Sequence, residues 1–171
     1  MTTTSDSSAK APEPGTADTD LAAIATLLRK RGVALGLLNP ADRHRALALA
    51  WRCLPQPAAL NERQVNLALG SFLEQAGQFL RTDHVELRRW LVDGGWLSRD
   101  GFGREYRSVS IEQLLPLCRH AALPLAGLEV NGWAQGVREL ACDEAQRRRS
   151  AWESQRRDAP TDPSRPAPAS A

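Results

Sequence analysis

The sequence predicts an α+β fold that is mostly α, in which a short β-hairpin is flanked by helices. Three observations predict it. Apolar residues recur at helical spacing in several segments, as at Val65, Leu69 and Leu73. Residues 83–94 have the pattern of an amphipathic helix that ends at a pair of glycines. Two strand-like stretches follow, separated by a four-residue turn with two glycines at residues 100–103.

Capping signals delimit the first three helices. The first helix is expected to begin near Asp20, an N-cap residue, and to end at the basic residues before Gly32. Asn39 caps the second helix, and Pro55 follows its end. Asn61 starts the third helix, with an acid and an amide in its first turn. These signals predict three helices before residue 80.

The fourth helix begins at Thr82 or Asp83 and is followed by strands at residues 96–99 and 105–109. The order from residue 39 is therefore helix, helix, turn, helix and hairpin, which is typical of a winged-helix-like domain. After it, we expect a helix from Ser110 to about His120, an irregular stretch at residues 123–132 and a polar helix from Val137 to about Arg157.

These elements give a domain organisation with five parts. Residues 1–20 and 158–171 are rich in Pro, Ser, Thr, Asp and Ala and are predicted to be disordered tails. Residues 21–38 form an N-terminal helix, residues 39–110 the winged-helix-like domain and residues 111–157 a C-terminal helical extension.

The composition excludes several classes of protein. The three cysteines are far apart and form no C-x-x-C pair, so we expect buried free thiols in a reducing cytoplasm and no metal ribbon. The sequence has no secretory signal and no apolar run of membrane-spanning length. The histidines lack metal-ligand spacing, and no nucleophile, acid–base or phosphate-loop motif is present. The prediction is a cytoplasmic protein that is not an enzyme and has no cofactor, metal or membrane contact.

Basic residues are distributed unevenly. Residues 21–59 carry six basic side chains against Asp42 alone, whereas residues 60–110 carry seven arginines and seven acids. The basic excess therefore precedes the fourth helix. This distribution is compatible with nucleic-acid binding and does not require it.

The fourth helix is the candidate recognition element. On a helical wheel Leu87, Trp90, Leu91 and Gly94 share the core face. Four residues are assigned to the opposite side: Val85, Arg88, Arg89 and Val92. Arginine contacts phosphates and reads guanine in the major groove. The alternative is that both arginines form surface ion pairs with Asp83, Glu86 or Asp93.

The hairpin is the candidate wing. It is expected to bring Arg99, Arg104 and Arg107 close together, where they contact a phosphate backbone. The alternative is a solvated edge whose charges discourage strand pairing. His84, in the first turn of the fourth helix, faces either DNA or solvent.

The C-terminal extension is basic. Its last helix has two groups of arginines, at residues 147–149 and 156–157. It either binds nucleic acid or a partner helix, or is a solvated helix with pairs such as Asp143 with Arg147 and Glu144 with Arg148.

Several motifs together resemble a known family. They are Gln64-Val65-Asn66, Asp83, the run Leu-Arg-Arg-Trp-Leu-Val-Asp at residues 87–93, Trp-Leu-Ser-Arg at residues 96–99, and Tyr106-Arg107. They resemble the bacterial family called domain of unknown function 2087, whose pattern runs E-V-N, then D-x-x-x-L-R-R-x-L-V-D, then an apolar-basic strand and Y-x-R or Y-W-R. The resemblance covers residues 43–109.

The chain departs from that pattern at three places. Gln64 stands where the family has an acid, the ending at Tyr106-Arg107 is shifted by one residue, and residues 56–60 replace a basic-aromatic first strand. The resemblance implies a winged-helix module that occurs alone or joined to transcriptional regulators. It implies no catalytic residues.

The leading hypothesis is a cytoplasmic, dimeric DNA-binding transcriptional regulator. Its partner is double-stranded DNA, and its nucleic-acid-binding residues are Arg88, Arg89, His84, Arg99, Arg104 and Arg107. The alternative is a protein–protein interaction module without nucleic-acid binding, which makes contact through Val85, Val92 and the flanking helices.

Overall fold

The computed structural model of the chain describes residues 14–56 and 59–158. The helices are α1 (Pro14–Leu28), α2 (Pro40–Arg52), α3 (Glu62–Glu74), α4 (His84–Asp93), α5 (Pro116–Ala122) and α6 (Val130–Asp158). The strands are β1 (Ala59–Leu60), β2 (Leu97–Arg99) and β3 (Tyr106–Ser108). The contacts divide the chain into two compact units after Arg138, and the α6 segment from Glu139 is considered by itself below.

The three strands form one antiparallel sheet in the order β1-β3-β2. Leu60 and Arg99 both pair with Tyr106, whereas Ala59 and Ser98 both pair with Arg107. Because neighbouring residues of a strand point to opposite faces, Tyr106 lies on the core face and Arg107 on the outer face. The predicted α+β, mostly α fold class is confirmed.

The predicted N-caps of α2, α3 and α4 are confirmed. The Asn39 side chain accepts a hydrogen bond from the Asp42 backbone N–H at 2.8 Å. Asn61 and Gln64 form a reciprocal capping box, with both hydrogen bonds at 2.9 Å. Asp83 accepts from the N–H groups of Val85 and Glu86, both at 2.8 Å. Each cap satisfies backbone donors that the first helical turn leaves unpaired.

The core joins α4 and the hairpin to α2. Leu87 and Leu91 of α4 are fully buried, as is Trp96 just before β2. The rings of Trp51 and Trp96 pack with their centroids 5.9 Å apart. Trp51 Nε1 donates to the Val109 carbonyl at 3.0 Å. These contacts fix the orientation of α4 and the hairpin relative to the rest of the unit.

The predicted start of the first helix near Asp20 is wrong. The helix α1 begins at Pro14, so the last residues of the predicted tail 1–20 are helical, and the rest of that tail and the predicted tail from residue 159 lie outside the described residues. Asp20 is buried and pairs with Arg45 Nη2 at 2.8 Å. Asp20 therefore lies inside α1, where its carboxylate pairs with a distant arginine instead of capping the helix.

Two predicted boundaries in the C-terminal extension are also wrong. Ser110 starts a hydrogen-bonded turn, and α5 begins only at Pro116, after an extended Leu115. Proline disfavours helical backbone at the preceding residue, which separates the two segments. The helix α6 begins at Val130 and not at Val137, because the Glu129 carboxylate accepts from the N–H groups of Asn131 and Gly132.

The cysteines differ in environment. Cys118 is buried, and Cys53 is half-buried, which raises the pKa of its thiol to about 11. Cys142 is exposed, so the expectation that all three are buried is wrong for this residue. None of the helices among the described residues is both long enough and apolar enough to span a membrane.

Candidate functional site

Arg88 lies between two helices and the sheet. Its side chain is only 12% exposed, and its Nη1 lies 2.8 Å from Glu62 Oε1 and also donates to Asn66 Oδ1. Its guanidinium lies over the Tyr106 ring, 5.6 Å from the ring centroid. Its assignment to a solvent-facing side of α4 is therefore wrong. Glu62 and Asn66 are one turn apart on α3 and face α4, so together they draw this arginine inward.

Arg89 has the surroundings that were expected for both arginines. Its side chain is exposed, and no residue in the described ranges gives its guanidinium a hydrogen bond or an ion pair. The most exposed residues of α4 are Glu86, Arg89 and Asp93, two acids and one base. Glu86 is engaged locally, since its Oε2 accepts from Thr82 Oγ1 at 2.7 Å. Arg89 is therefore the accessible cation of this helix surface.

The other predicted residues of α4 are only partly accessible. His84 is the first residue of the helix and is half-buried. Val85 and Val92 are half-buried as well, and Val92 packs against the core. Trp90 is partly covered by Arg43, whose guanidinium lies 5.2 Å from the centre of the indole. The solvent-facing surface of α4 is consequently narrower than the helical wheel predicts.

The hairpin arginines point in different directions. Arg99 shares the core face with Tyr106 at the end of β2, and Arg107 lies on the opposite face. Arg107 is paired with Glu105, at 2.5 Å from Nη2 to Oε1. The expected cluster of Arg99, Arg104 and Arg107 is therefore not one patch. The alternation of side chains along β2 and β3 places Arg99 and Arg107 on opposite faces of the sheet.

The tip of the hairpin combines an exposed aromatic ring with charged side chains. Asp100 accepts from the N–H groups of Glu105 and Arg104, at 3.1 and 2.7 Å. The Glu105 N–H is the main cause that lowers the pKa of this carboxyl group. The Arg104 guanidinium lies 5.5 Å from the ring centroid of Phe102, which is 86% exposed. Phe102 was missed by the sequence analysis, although a phenylalanine between two glycines in a turn is a signal of exposure.

Three cations of the basic excess that precedes α4 are engaged within the fold. Arg43 donates to the carbonyl groups of Leu35 and Leu38. Arg45 pairs with Asp20 and Asp42, and Lys30 also pairs with Asp42. These cations therefore add little to any basic surface. Across residues 14–56 and 59–158 there is no cluster of three or more side chains suited to a metal ion.

The comparisons with known proteins agree with the motif analysis. No curated protein and no solved structure matches the chain. Residues 39–108, which span α2 to β3, match the family described as "Uncharacterized protein conserved in bacteria (DUF2087)". The resemblance stated above is thereby confirmed over residues 39–108.

Proposed function

We propose that residues 39–108 form a winged-helix module that binds double-stranded DNA and regulates transcription in the bacterial cytoplasm. Its elements follow the order α2, β1, α3, α4, β2 and β3, and the sheet order is β1-β3-β2. A short strand between the first two helices and a hairpin after the third are the features of that module. In this arrangement α4 is the recognition helix and the β2–β3 hairpin is the wing.

The observation that carries the proposal is the charge at the hairpin tip. Both hairpin acids are committed locally, Asp100 to backbone N–H groups and Glu105 to Arg107. Arg99 and Arg104 are exposed, and neither forms a salt bridge among the described residues, although the charge of Arg104 contributes to lowering the pKa of Asp100. Two exposed arginines that form no salt bridge, at the ends of one hairpin turn, suit the phosphate backbone of a duplex.

The proposed contact residues differ from the predicted set at Arg88 and Arg107. Arg89 takes the base or phosphate contact on α4, with His84 beside the helix start. Arg99 and Arg104 contact the backbone from the wing, whereas Arg107 is left out because it lies on the opposite face and pairs with Glu105. Arg88 becomes a positioning residue, because it holds α4 against α3 and the Tyr106 ring.

The direct test is a fluorescence anisotropy titration of the full chain with a mixed-sequence duplex at low salt. We expect binding, and we expect Arg99→Ala and Arg104→Ala each to weaken it. The matched control is Arg31→Ala, which removes an exposed arginine outside residues 39–108 and should leave the affinity unchanged. Absence of binding at low salt contradicts the proposal, as does an equal effect of all three substitutions.

A second candidate function is a protein-interaction module. The observation that favours it is the surface formed by α3 and α4, where Leu67 is 76% exposed and where Glu86 and Asp93 outnumber Arg89. An exposed leucine on α3 and an excess of exposed acids on α4 suit an apolar and basic protein surface better than a phosphate backbone. Failure of the duplex to bind at low salt would favour this function over DNA binding.

A further inference from the structure

The tip of the β2–β3 hairpin carries the most exposed large apolar side chain among the described residues. Phe102 is 86% exposed. A single exposed apolar residue is ordinary on a protein surface, but this one stands between Gly101 and Gly103, which add no side chains of their own. The space beside Gly101 is open, since an added Cβ would meet no atom within 4 Å. The ring can therefore approach another molecule closely.

Hydrogen bonds hold this turn in a defined geometry. The Asp100 N–H donates to the Glu105 carbonyl at 3.0 Å, and the Gly103 N–H donates to the Asp100 carbonyl at 3.1 Å. The Asp100 carboxylate accepts from the N–H groups of Arg104 and Glu105, at 2.7 and 3.1 Å. The turn is consequently ordered before a ligand arrives, so burying Phe102 against a partner costs little additional backbone entropy.

Two arginines accompany the ring at the turn. Arg104 lies over it, with the guanidinium 5.5 Å from the ring centroid, and still leaves most of the Phe102 side chain exposed. Arg99 comes from the other arm of the hairpin, and its Cδ lies 3.8 Å from the position that a Cβ would take on Gly103. The tip is therefore an apolar ring with a cation on each arm of the hairpin. This combination suits a polyanion with an apolar interior, which is what a nucleic-acid duplex is.

We propose that Phe102 enters the minor groove of the bound duplex and inserts as an apolar wedge at a base step. The inference rests on the DNA binding proposed above and goes beyond it, because it adds an apolar contact inside the groove. The minor groove is about 6 Å wide, so phosphates of both strands lie near a tip that enters it and are available to Arg99 and Arg104. Apolar side chains that part neighbouring base pairs do so from this groove. Pyrimidine–purine steps such as TA are the preferred sites, because they unstack easily.

Affinity measurements separate the wedge from the charges. We expect Phe102→Ala to weaken binding of the full chain to a duplex of alternating T and A by about tenfold, the order of one lost contact between an aromatic ring and a base. The slope of the logarithm of the association constant against the logarithm of salt concentration should stay unchanged, because phenylalanine releases no counterions. The matched control Leu37→Ala removes a leucine that is 84% exposed outside residues 39–108, and it should leave both quantities unchanged.

The fluorescence of 2-aminopurine tests insertion. This base replaces some adenines of the same duplex, and its emission rises when it loses stacking with its neighbours. We expect the wild-type chain to raise the emission on binding and Phe102→Ala, at a concentration that saturates the duplex, not to raise it. The conservative variant Phe102→Leu should keep most of the rise, because leucine also acts as a wedge between base steps.

The outcomes distinguish this inference from the function on which it rests. If the wild type binds the duplex and Phe102→Ala binds it equally well, the wedge is overturned and DNA binding stands. Equal affinity is also the result expected if Phe102 contacts a protein instead of DNA. A wild-type complex without a rise in emission, or a rise that Phe102→Ala preserves, would overturn insertion in the same way. Absence of wild-type binding at low salt would overturn both the wedge and the proposed function.

Discussion

Two adjacent arginines in α4 have different physical roles. Arg88 is almost enclosed by Glu62, Asn66 and the Tyr106 ring, whereas the Arg89 side chain is exposed. The first connects three elements of the domain, and the second is accessible to a ligand. Arg88 therefore contributes to the stability of the domain, whereas the neighbouring Arg89 is accessible for binding.

Substitution of each arginine by alanine tests this separation. Arg88→Ala should lower the free energy of unfolding by about 1 to 2 kcal/mol, because it removes a mostly buried charged hydrogen bond whose partner Glu62 is half-exposed. Arg89→Ala should change it by less than about 0.5 kcal/mol, as surface substitutions do. Urea unfolding followed by circular dichroism measures both. Equal effects would contradict the assigned roles.

Asp83 makes the stability of α4 depend on acid. Hydrogen bonds from the backbone N–H of Glu86 and then of Val85 hold the pKa of its carboxyl group below the ordinary value. A depressed pKa means that the stabilisation is complete above the ordinary carboxyl pKa and is lost as pH falls through the lower folded-state pKa.

The substitution Asp83→Asn tests this link. Asparagine is also a good N-cap, but it does not titrate. The variant should therefore be close to the wild type in stability at neutral pH and should lose less stability between neutral pH and pH values below the ordinary carboxyl pKa. The urea midpoints of the wild type and the variant, measured across that pH range, test this expectation. An unchanged acid dependence would show that other groups cause it.

At the residue scale, a contact can be predicted from the sequence when its two residues are close together in the chain. Local signals such as the Asn61–Gln64 capping box and the buried Leu87 and Leu91 were predicted correctly, because they rest on residues within a few positions. The surroundings of Arg88 and Asp20 were not. Their partners are 18 or more residues away, and only tertiary packing brings them together.

Among the elements, the short strands depend most on their neighbours. The helix patterns were long enough to predict α2, α3 and α4, whereas β1 has only two residues and a weak strand sequence. Its pairing with β3 supplies the hydrogen bonds that define it. The hairpin was predicted from its glycines, but the faces of its arginines follow from register, which the sequence leaves open.

Gly103 is required for the geometry of the hairpin. Its φ is 70°, which is left-handed backbone that other residues adopt only with strain. Gly103→Ala should therefore lower the free energy of unfolding by about 1 kcal/mol. The control Gly101→Ala lies in the same turn, lacks a positive φ and has open space at its Cβ position, so its effect should be smaller. Urea unfolding of both variants measures the difference, and equal losses would contradict this reading of the turn.

At the scale of the whole molecule, part of the basic excess is neutralised inside the fold. Lys30, Arg43 and Arg45 pair with Asp20, Asp42 or carbonyl oxygens. Net charge therefore says little about binding, and the proposed DNA contacts rest on a few exposed arginines. The order of elements could be predicted from the sequence, but the arginines that remain exposed could be identified only from the structure.

The salt dependence of DNA affinity tests the central claim most directly. The logarithm of the association constant for a mixed-sequence duplex should fall linearly with the logarithm of salt concentration, because bound cations release counterions from the phosphates. The double variant Arg99→Ala with Arg104→Ala should reduce that slope by about two, one for each lost phosphate contact. Identical slopes for the double variant and the wild type, or no binding at low salt, would contradict a DNA-binding wing.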